Sequence, residues 1–367
     1  MSLVSINIEG FRNFSQTKTD LHDRCNIFYG KNGSGKTGFL EAIHYLVLGR
    51  SFRSHILRRI IKRGSNSFSI FGKIRLDGNL TLVGLNRSIE TGKNIKIDCK
   101  NVSSNIEITK LLPLQLLNHN SFSLLYNGPK TRRQFIDRGL FHVEQSFLEL
   151  WRKVERIVGQ RNIAIRTKLK IDDIKIWDKQ LALAGQELHQ HRQKHIERFI
   201  PIAKDILQKF LPDISIKLSY FAGWDTDLDL ETALSNNIKR DLQLGYSNTG
   251  PQKADIEILA EETPAKDSLS RGQQKMLLYG LQIAQGLMIT ELTNKKSVYL
   301  IDDLLAELDF KRCQLIVDTV LGLRKSQLFI TGLERKALED IFTDRAVDKK
   351  IFHIENNAVV EKRGQTL

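Results

Sequence analysis

Nothing in the 367 residues approaches the run of about 20 apolar positions that spans a bilayer. Apolar runs such as residues 45–48 are far shorter, which excludes a membrane-crossing helix. Val4, Ile6 and Ile8 alternate with Ser5, Asn7 and Glu9, a strand pattern without the basic segment and apolar stretch of a signal peptide. A cytoplasmic protein with no membrane partner is expected. Cysteine is scarce: Cys25, Cys99 and Cys313 are widely separated and odd in number, so neither a CxxC metal site nor a full disulfide set fits, and all three are expected reduced in or near the core. Internal repeats, low-complexity tracts and sustained heptads are lacking. So are zinc modules, recognition-helix patterns and stacked-aromatic patterns, which argues against base-specific readout of a nucleic acid.

What is abundant is positive charge. Lys and Arg number 56 against 42 Asp and Glu, a net charge of +14, which favours an anionic partner without naming a fold. Between Ala42 and Leu76 there is no acidic residue, whereas Arg50, Arg53, Arg58, Arg59, Lys62, Arg63, Lys73 and Arg75 are basic. Lys130, Arg132, Arg133 and Arg138 form a second cluster, and Arg152, Lys153, Arg156, Arg161, Arg166, Lys168 and Lys170 a third. Each alone reads as a solvated face. Three in one chain make DNA phosphate contact the expectation for at least one, with Arg58, Arg59, Lys62, Arg63, Arg132, Arg133, Arg152, Lys153 and Arg156 as candidates.

The periodicity divides the chain. The first 128 residues read as an α/β unit: strands at 4–8 and 25–29, a helix at 34–48, a hairpin turning at Asp77-Gly78-Asn79, and a strand at 112–117. Residues 129–244 are mainly helical, with Trp151, Val154, Val158 and Ile165 at helical spacing. The roughly 80 residues of 132–210 predict two antiparallel helices of about 50 Å each at 1.5 Å per residue. Residues 245–367 return to α/β, ending in a hairpin that turns at Asn356-Asn357.

The chemistry starts at Gly30-Lys31-Asn32-Gly33-Ser34-Gly35-Lys36-Thr37, which fits GxxxxGK[ST] at every fixed position, between a predicted strand and helix. Its glycines let backbone N–H groups converge on a phosphate at a helix N-terminus, Lys36 neutralises phosphate charge, and Thr37 offers a hydroxyl to Mg²⁺. Such a loop needs a second Mg²⁺-ordering carboxylate at a strand end. Ser297 to Asp303 supplies Asp302 for the metal and Asp303 to orient or deprotonate an attacking water.

Leu269 to Lys275 (LSRGQQK) precedes that acidic pair by about 30 residues, and Ala306-Glu307-Leu308-Asp309 follows it. Here the chain resembles the ABC-type ATPase heads, related to those of SMC and Rad50 proteins: the first segment is similar to their signature, the second to their D-loop. The resemblance implies a P-loop head with an antiparallel β subdomain and an inserted, mainly helical lobe. It implies that Ser270, Gly272, Gln273 and Asp309 meet ATP held by a second protomer, and that Gln115 reaches Mg²⁺ and water. Within these heads GFRNF (10–14), NGPKTRRQFIDRGLFH (127–142), TGPQKAD (249–255) and LIDDLLAELD (300–309) resemble the recombination-mediator family RecF in order over nearly the whole chain. That family implies an ATP-dependent homodimer binding single- and double-stranded DNA at gaps or junctions. It also implies slow ATP hydrolysis, help in loading RecA with RecO and RecR, and roles in replication restart and the SOS response, with Arg12 and Asn13 near the nucleotide. Another ABC-type machine, a transporter or an SMC-like complex, is the alternative. Gln252-Lys253 stands where many relatives have His-Arg, and Thr331 where transporter ATPases place a histidine. Asp303 is one methylene shorter than the usual glutamate, which points to a slow ATPase used as a switch.

Overall fold

The computed structural model describes residues 1–342 and 347–362. They form two compact units: Met1–Ser121 with the described residues from Ile289 onward, and Phe122–Met288.

In the first unit one sheet has the strand order Ala358–Lys362, Lys349–Glu355, Cys25–Tyr29, Ser326–Gly332, Ser297–Ile301, Leu114–Leu117. All neighbours are parallel except the terminal hairpin. Ser297–Ile301 and Ser326–Gly332 are buried along their whole length, the reason their centres, Val298 to Ile301 and Leu328 to Ile330, read as unbroken apolar runs. A second, antiparallel sheet runs Phe14–Asp20, Ser2–Phe11, Ser67–Leu76, Asn79–Ser88, Gly92–Ile97, Lys100–Val102. Asp77 and Gly78 both take positive φ, 45° and 92°, as a two-residue hairpin turn demands. The helix Lys36–Leu48 is buried from Gly38 to Val47. Its Phe39, Leu40, Ile43 and Leu46 share one core with Leu3, Ile6, Phe28, Val83 and Phe329, so both sheets pack on it. That burial fixes the N-terminus of the helix beside the ends of the parallel strands. Cys25 and Cys313 are buried as expected, but Cys99 is exposed in the turn after Gly92–Ile97, because a positive φ of 66° places it outside the ladder.

The second unit carries the helices Pro129–Val143, Phe147–Arg166, Ile171–Phe210 and Leu230–Leu244 and a sheet of Thr263–Pro264, Asp255–Ala260 and Ile216–Phe221. The two expected helices of equal length are instead 20 and 40 residues, about 30 and 60 Å. Pro201 stays inside the longer one on its exposed face. Arg161, counted above in a basic surface run, is fully buried: it donates to Asp178 at 2.6 Å, Asp241 at 2.6 Å and Ser247 at 2.7 Å and ties three helical segments together. The division of the chain also falls elsewhere than the expected 245–367 segment. Residues 245–288 belong to the second unit because Asp255–Ala260 pairs with Ile216–Phe221, Gly280 abuts Leu207, and Gln285 donates to the Phe135 carbonyl. No helix among the described residues is long and apolar enough to cross a membrane.

Candidate nucleotide site

Strand Cys25–Tyr29 runs into the glycine-rich loop, and helix Lys36–Leu48 begins as that loop ends. Gly30 approaches the neighbouring hairpin so closely that a Cβ would lie 2.3 Å from the Ile354 carbonyl oxygen. Gly33 and Gly35 hold φ of 78° and 113°, open only to glycine without strain. The Lys36 ammonium folds back on the loop, donating to the carbonyls of Gly30 (2.7 Å) and Lys31 (2.9 Å). Burial lowers its pKa, opposed by the charges of Asp303 and Asp302.

Opposite the loop, three strand-end oxygen groups converge. The Asp302 Oδ1 accepts from Thr37 (3.0 Å) and from Thr331 (2.8 Å), and the Thr331 hydroxyl accepts from the Asp303 backbone N–H at 2.8 Å. Burial raises the Asp302 pKa, and the two hydroxyl donors pull it back. Asp303 sits at φ 53°, a left-handed turn that carries the chain off its strand. Thr331 was noticed in the sequence only for what it is not; its neighbours make it the bridge between the two acids.

A cavity of about 560 Å³ joins these groups. Arg12, Asn13, Asn32, Gly33, Gly35, Lys36, Thr37, Asp302 and Asp303 line it as the sequence suggested. Arg53, Arg58, Arg59 and Arg63 line it too. The last three, named above as candidates for DNA in the acid-free segment, line the same cavity as the phosphate loop while remaining exposed. Lys62, beside them, bonds Ser15. The segment is pinned by Arg12, whose N–H bonds the Ile60 carbonyl and whose guanidinium donates to Glu41 at 2.8 and 2.6 Å. Glu41 is completely buried and also accepts from the Ser51 hydroxyl. Sequence reasoning passed it over as one polar position in an apolar helix.

Gln115 is not brought to the cavity. It pairs with Tyr299 inside the parallel sheet, 1% exposed, with neither amide atom hydrogen-bonded, and it is not among the cavity residues. The Asp302 N–H bonds the Leu117 carbonyl, so Asn118, the next residue, stands level with the site. The role at Mg²⁺ came from the resemblance alone; the strand ends at Leu117, where the expected 112–117 strand ends, and Gln115 lies inside it.

Asp309 caps the helix Phe310–Gly322 by accepting from the Arg312 N–H at 2.9 Å. In the second unit, Ser270 and Gln273 form a reciprocal cap: the Ser270 N–H donates to Gln273 Oε1 at 2.8 Å and the Gln273 N–H to Ser270 Oγ at 3.4 Å. Gly272 lies in that first, partly exposed turn, and Arg271 packs over the rings of Phe122 and Tyr126. A helix N-terminus presented in this way attracts anions. The second basic cluster is internally engaged: Arg132 makes a bidentate pair with Asp255 at 2.7 Å, and Arg133 donates to the Ala254 carbonyl. Arg152, Lys153 and Arg156, by contrast, are exposed on one helix.

Comparison with known proteins adds to this geometry. The family model described as RecF/RecN/SMC N terminal domain matches residues 2–358. The chain is 37% identical over 359 residues to the DNA replication and repair protein RecF of Shewanella loihica, covering 98% of this chain and 99% of that one. It is 36% identical over 363 residues to the protein of the same name from Psychromonas ingrahamii, with 98% and 99% covered. A solved structure of the recombination mediator protein RecF with ATP, from the RecFOR pathway, has a TM-score of 0.84 at 23% identity over 99% of this chain and 98% of that one. An SMC head bound to the C-terminal winged-helix domain of ScpA gives 0.62 at 14% identity, with 100% and 98% covered.

Proposed function

The chain belongs to the RecF family, and on that premise we propose that it is an ATP-gated DNA-binding protein of recombinational gap repair. The observation that carries the reading is the charge and composition of the cavity: six cationic side chains face two carboxylates around a complete phosphate loop. Such a surplus suits a triphosphate. Lys36 would exchange the Gly30 and Lys31 carbonyls for phosphate oxygens. Thr37 and Asp302 are hard oxygen donors that already meet, and they fit a Mg²⁺ held by one carboxylate, a hydroxyl and phosphates. When bound, the ion supplies charge neutralisation to the phosphates. Asp303 would orient water at the cavity edge, and its short side chain accounts for slow turnover.

In this reading Ser270 and the N-terminus of its helix contact nucleotide held by a second protomer. Two interfacial ATPs at about 100 times their dissociation constant contribute roughly 5.4 kcal/mol, against about 5.5 kcal/mol needed to move an equilibrium from 1:99 to 99:1. ATP therefore suffices to drive dimerisation where its binding is mostly to the closed form. Arg152, Lys153 and Arg156, exposed together on one helix, are the side chains assigned here to DNA phosphates. Action beside RecO and RecR follows from the named relatives. Sedimentation with and without ATP and Mg²⁺, on gapped, duplex and single-stranded DNA, tests this: dimers and DNA complexes should require ATP. Ser270→Arg should keep ATP binding and lose the dimer, and DNA affinity indifferent to nucleotide across salt would refute gating.

A further inference from the structure

A cavity assigned no role above lies within the second unit, about 990 Å³ in volume, between helix Ile171–Phe210, the end of strand Ile216–Phe221 and the loop entering helix Leu230–Leu244. Its charge is opposite to that of the chain. Glu187, Glu197, Asp227, Asp229 and Glu231 line it, and no lysine or arginine among the described residues does, in a protein of net charge +14. A nucleic-acid backbone is repelled from such a wall. Its rim is apolar: Leu183 is 78% exposed, Phe221 54% and Leu228 39%, while Trp224 and Leu230 form a buried floor.

The wall also holds a polar atom without a partner. His189 is 8% exposed, its ring stacked on Tyr220 and edge-on to Trp224, and its Nδ1 makes no hydrogen bond. Burial, helped by the charge of Arg192, lowers its pKa and favours the neutral ring, whose free nitrogen can meet a polar group of an occupant. Volume, rim and unpaired nitrogen together specify an occupant with apolar anchors and a hydrogen-bonding group, and the carboxylates specify its sign.

We infer that this cavity docks a lysine- or arginine-bearing apolar segment of a partner protein, on a surface separate from the DNA contacts. The carboxylates would steer the segment, and its apolar residues would settle on Leu183, Phe221 and Trp224. The partner would then bind without competing with DNA phosphates for the same cations.

Fluorescence anisotropy with the full chain tests this, using a labelled peptide of alternating lysine and leucine, a lysine–serine peptide of the same charge, and a glutamate–leucine peptide. The lysine–leucine peptide should bind and the other two should bind at least about tenfold more weakly. Glu187→Lys with Asp227→Lys, both at exposed positions, should cost about tenfold, and Leu183→Ser a smaller loss, with melting temperature and duplex-DNA affinity retained. Equal binding of the lysine–serine peptide, indifference to the charge reversals, or loss of duplex binding in the reversed variant would overturn the proposal. So would loss of self-association in that variant, which would make a second copy the occupant.

Discussion

Thr331→Val is the sharpest test of the strand-end cluster. The substitution nearly preserves volume in a fully buried position and removes one hydroxyl. Two hydrogen bonds go with it, each 2.8 Å: the donation to Asp302 and the acceptance from the Asp303 N–H. A bond to a carboxylate is worth about 1.5–3 kcal/mol and a neutral one about 1. Asp302 keeps its bond from Thr37, so the loss of stability should be about 2–4 kcal/mol. The hydroxyl is one of the groups holding down a carboxyl already raised by burial. Its removal raises that pKa further and disfavours the ionised form a cation needs. ATP affinity in Mg²⁺ should fall about tenfold, equivalent to about 1.4 kcal/mol, and hardly change in chelator. Titration with a fluorescent ATP analogue under both conditions reads the difference, with Thr331→Ser as the hydroxyl-retaining control. Equal losses with and without Mg²⁺ would refute the reasoning, because the defect would then be one of general collapse.

Two further outcomes follow from other parts of the chain. His195, in the second unit, is held down to about 4 by burial, with Arg198 adding to the shift. Its folded pKa lies below the ordinary value near 6.5, so the stability it permits is complete above about pH 6.5 and is lost as pH falls through 4, an effect of about 3 kcal/mol. Urea melts at pH 7 and pH 4 should show His195→Gln losing about that much less than the parent on acidification; identical losses would mean that the ring does not report folding. Arg152→Ala with Arg156→Ala, one helical turn apart, should lower the slope of log affinity for duplex DNA against log salt by about 2, at about 0.9 per phosphate contact. An unchanged slope would remove that helix from the interface.

Legibility followed the range of the interactions. The phosphate loop and the hairpin at Asp77-Gly78 were readable because each is fixed within a few residues by backbone conformation. Strand Phe14–Asp20 escaped notice because only Phe14, Thr17 and Thr19 are buried in an otherwise polar stretch. That Gln115 is sealed inside the sheet was not legible because its neighbour Tyr299 is nearly 200 residues away in sequence, and Glu41 was passed over because its partner Arg12 lies 29 residues earlier, between two strands. The basic clusters looked alike in sequence and separated only when their neighbours were known. Arg58, Arg59 and Arg63 face the nucleotide cavity, Arg132 and Arg133 bind strand groups, Arg161 is a buried tie, and Arg152, Lys153 and Arg156 remain on the surface.

By itself the sequence determined the phosphate-binding chemistry, the order of the motifs and the family, since these depend on residue types at fixed local spacing. Tertiary structure alone decided which of the many cations line the phosphate-loop cavity, which are tied up in packing and which stay on the surface, and that an acidic cavity exists in a basic chain. Charge is a property of composition, but its use depends on burial and on which opposite charge the fold brings within a few ångströms.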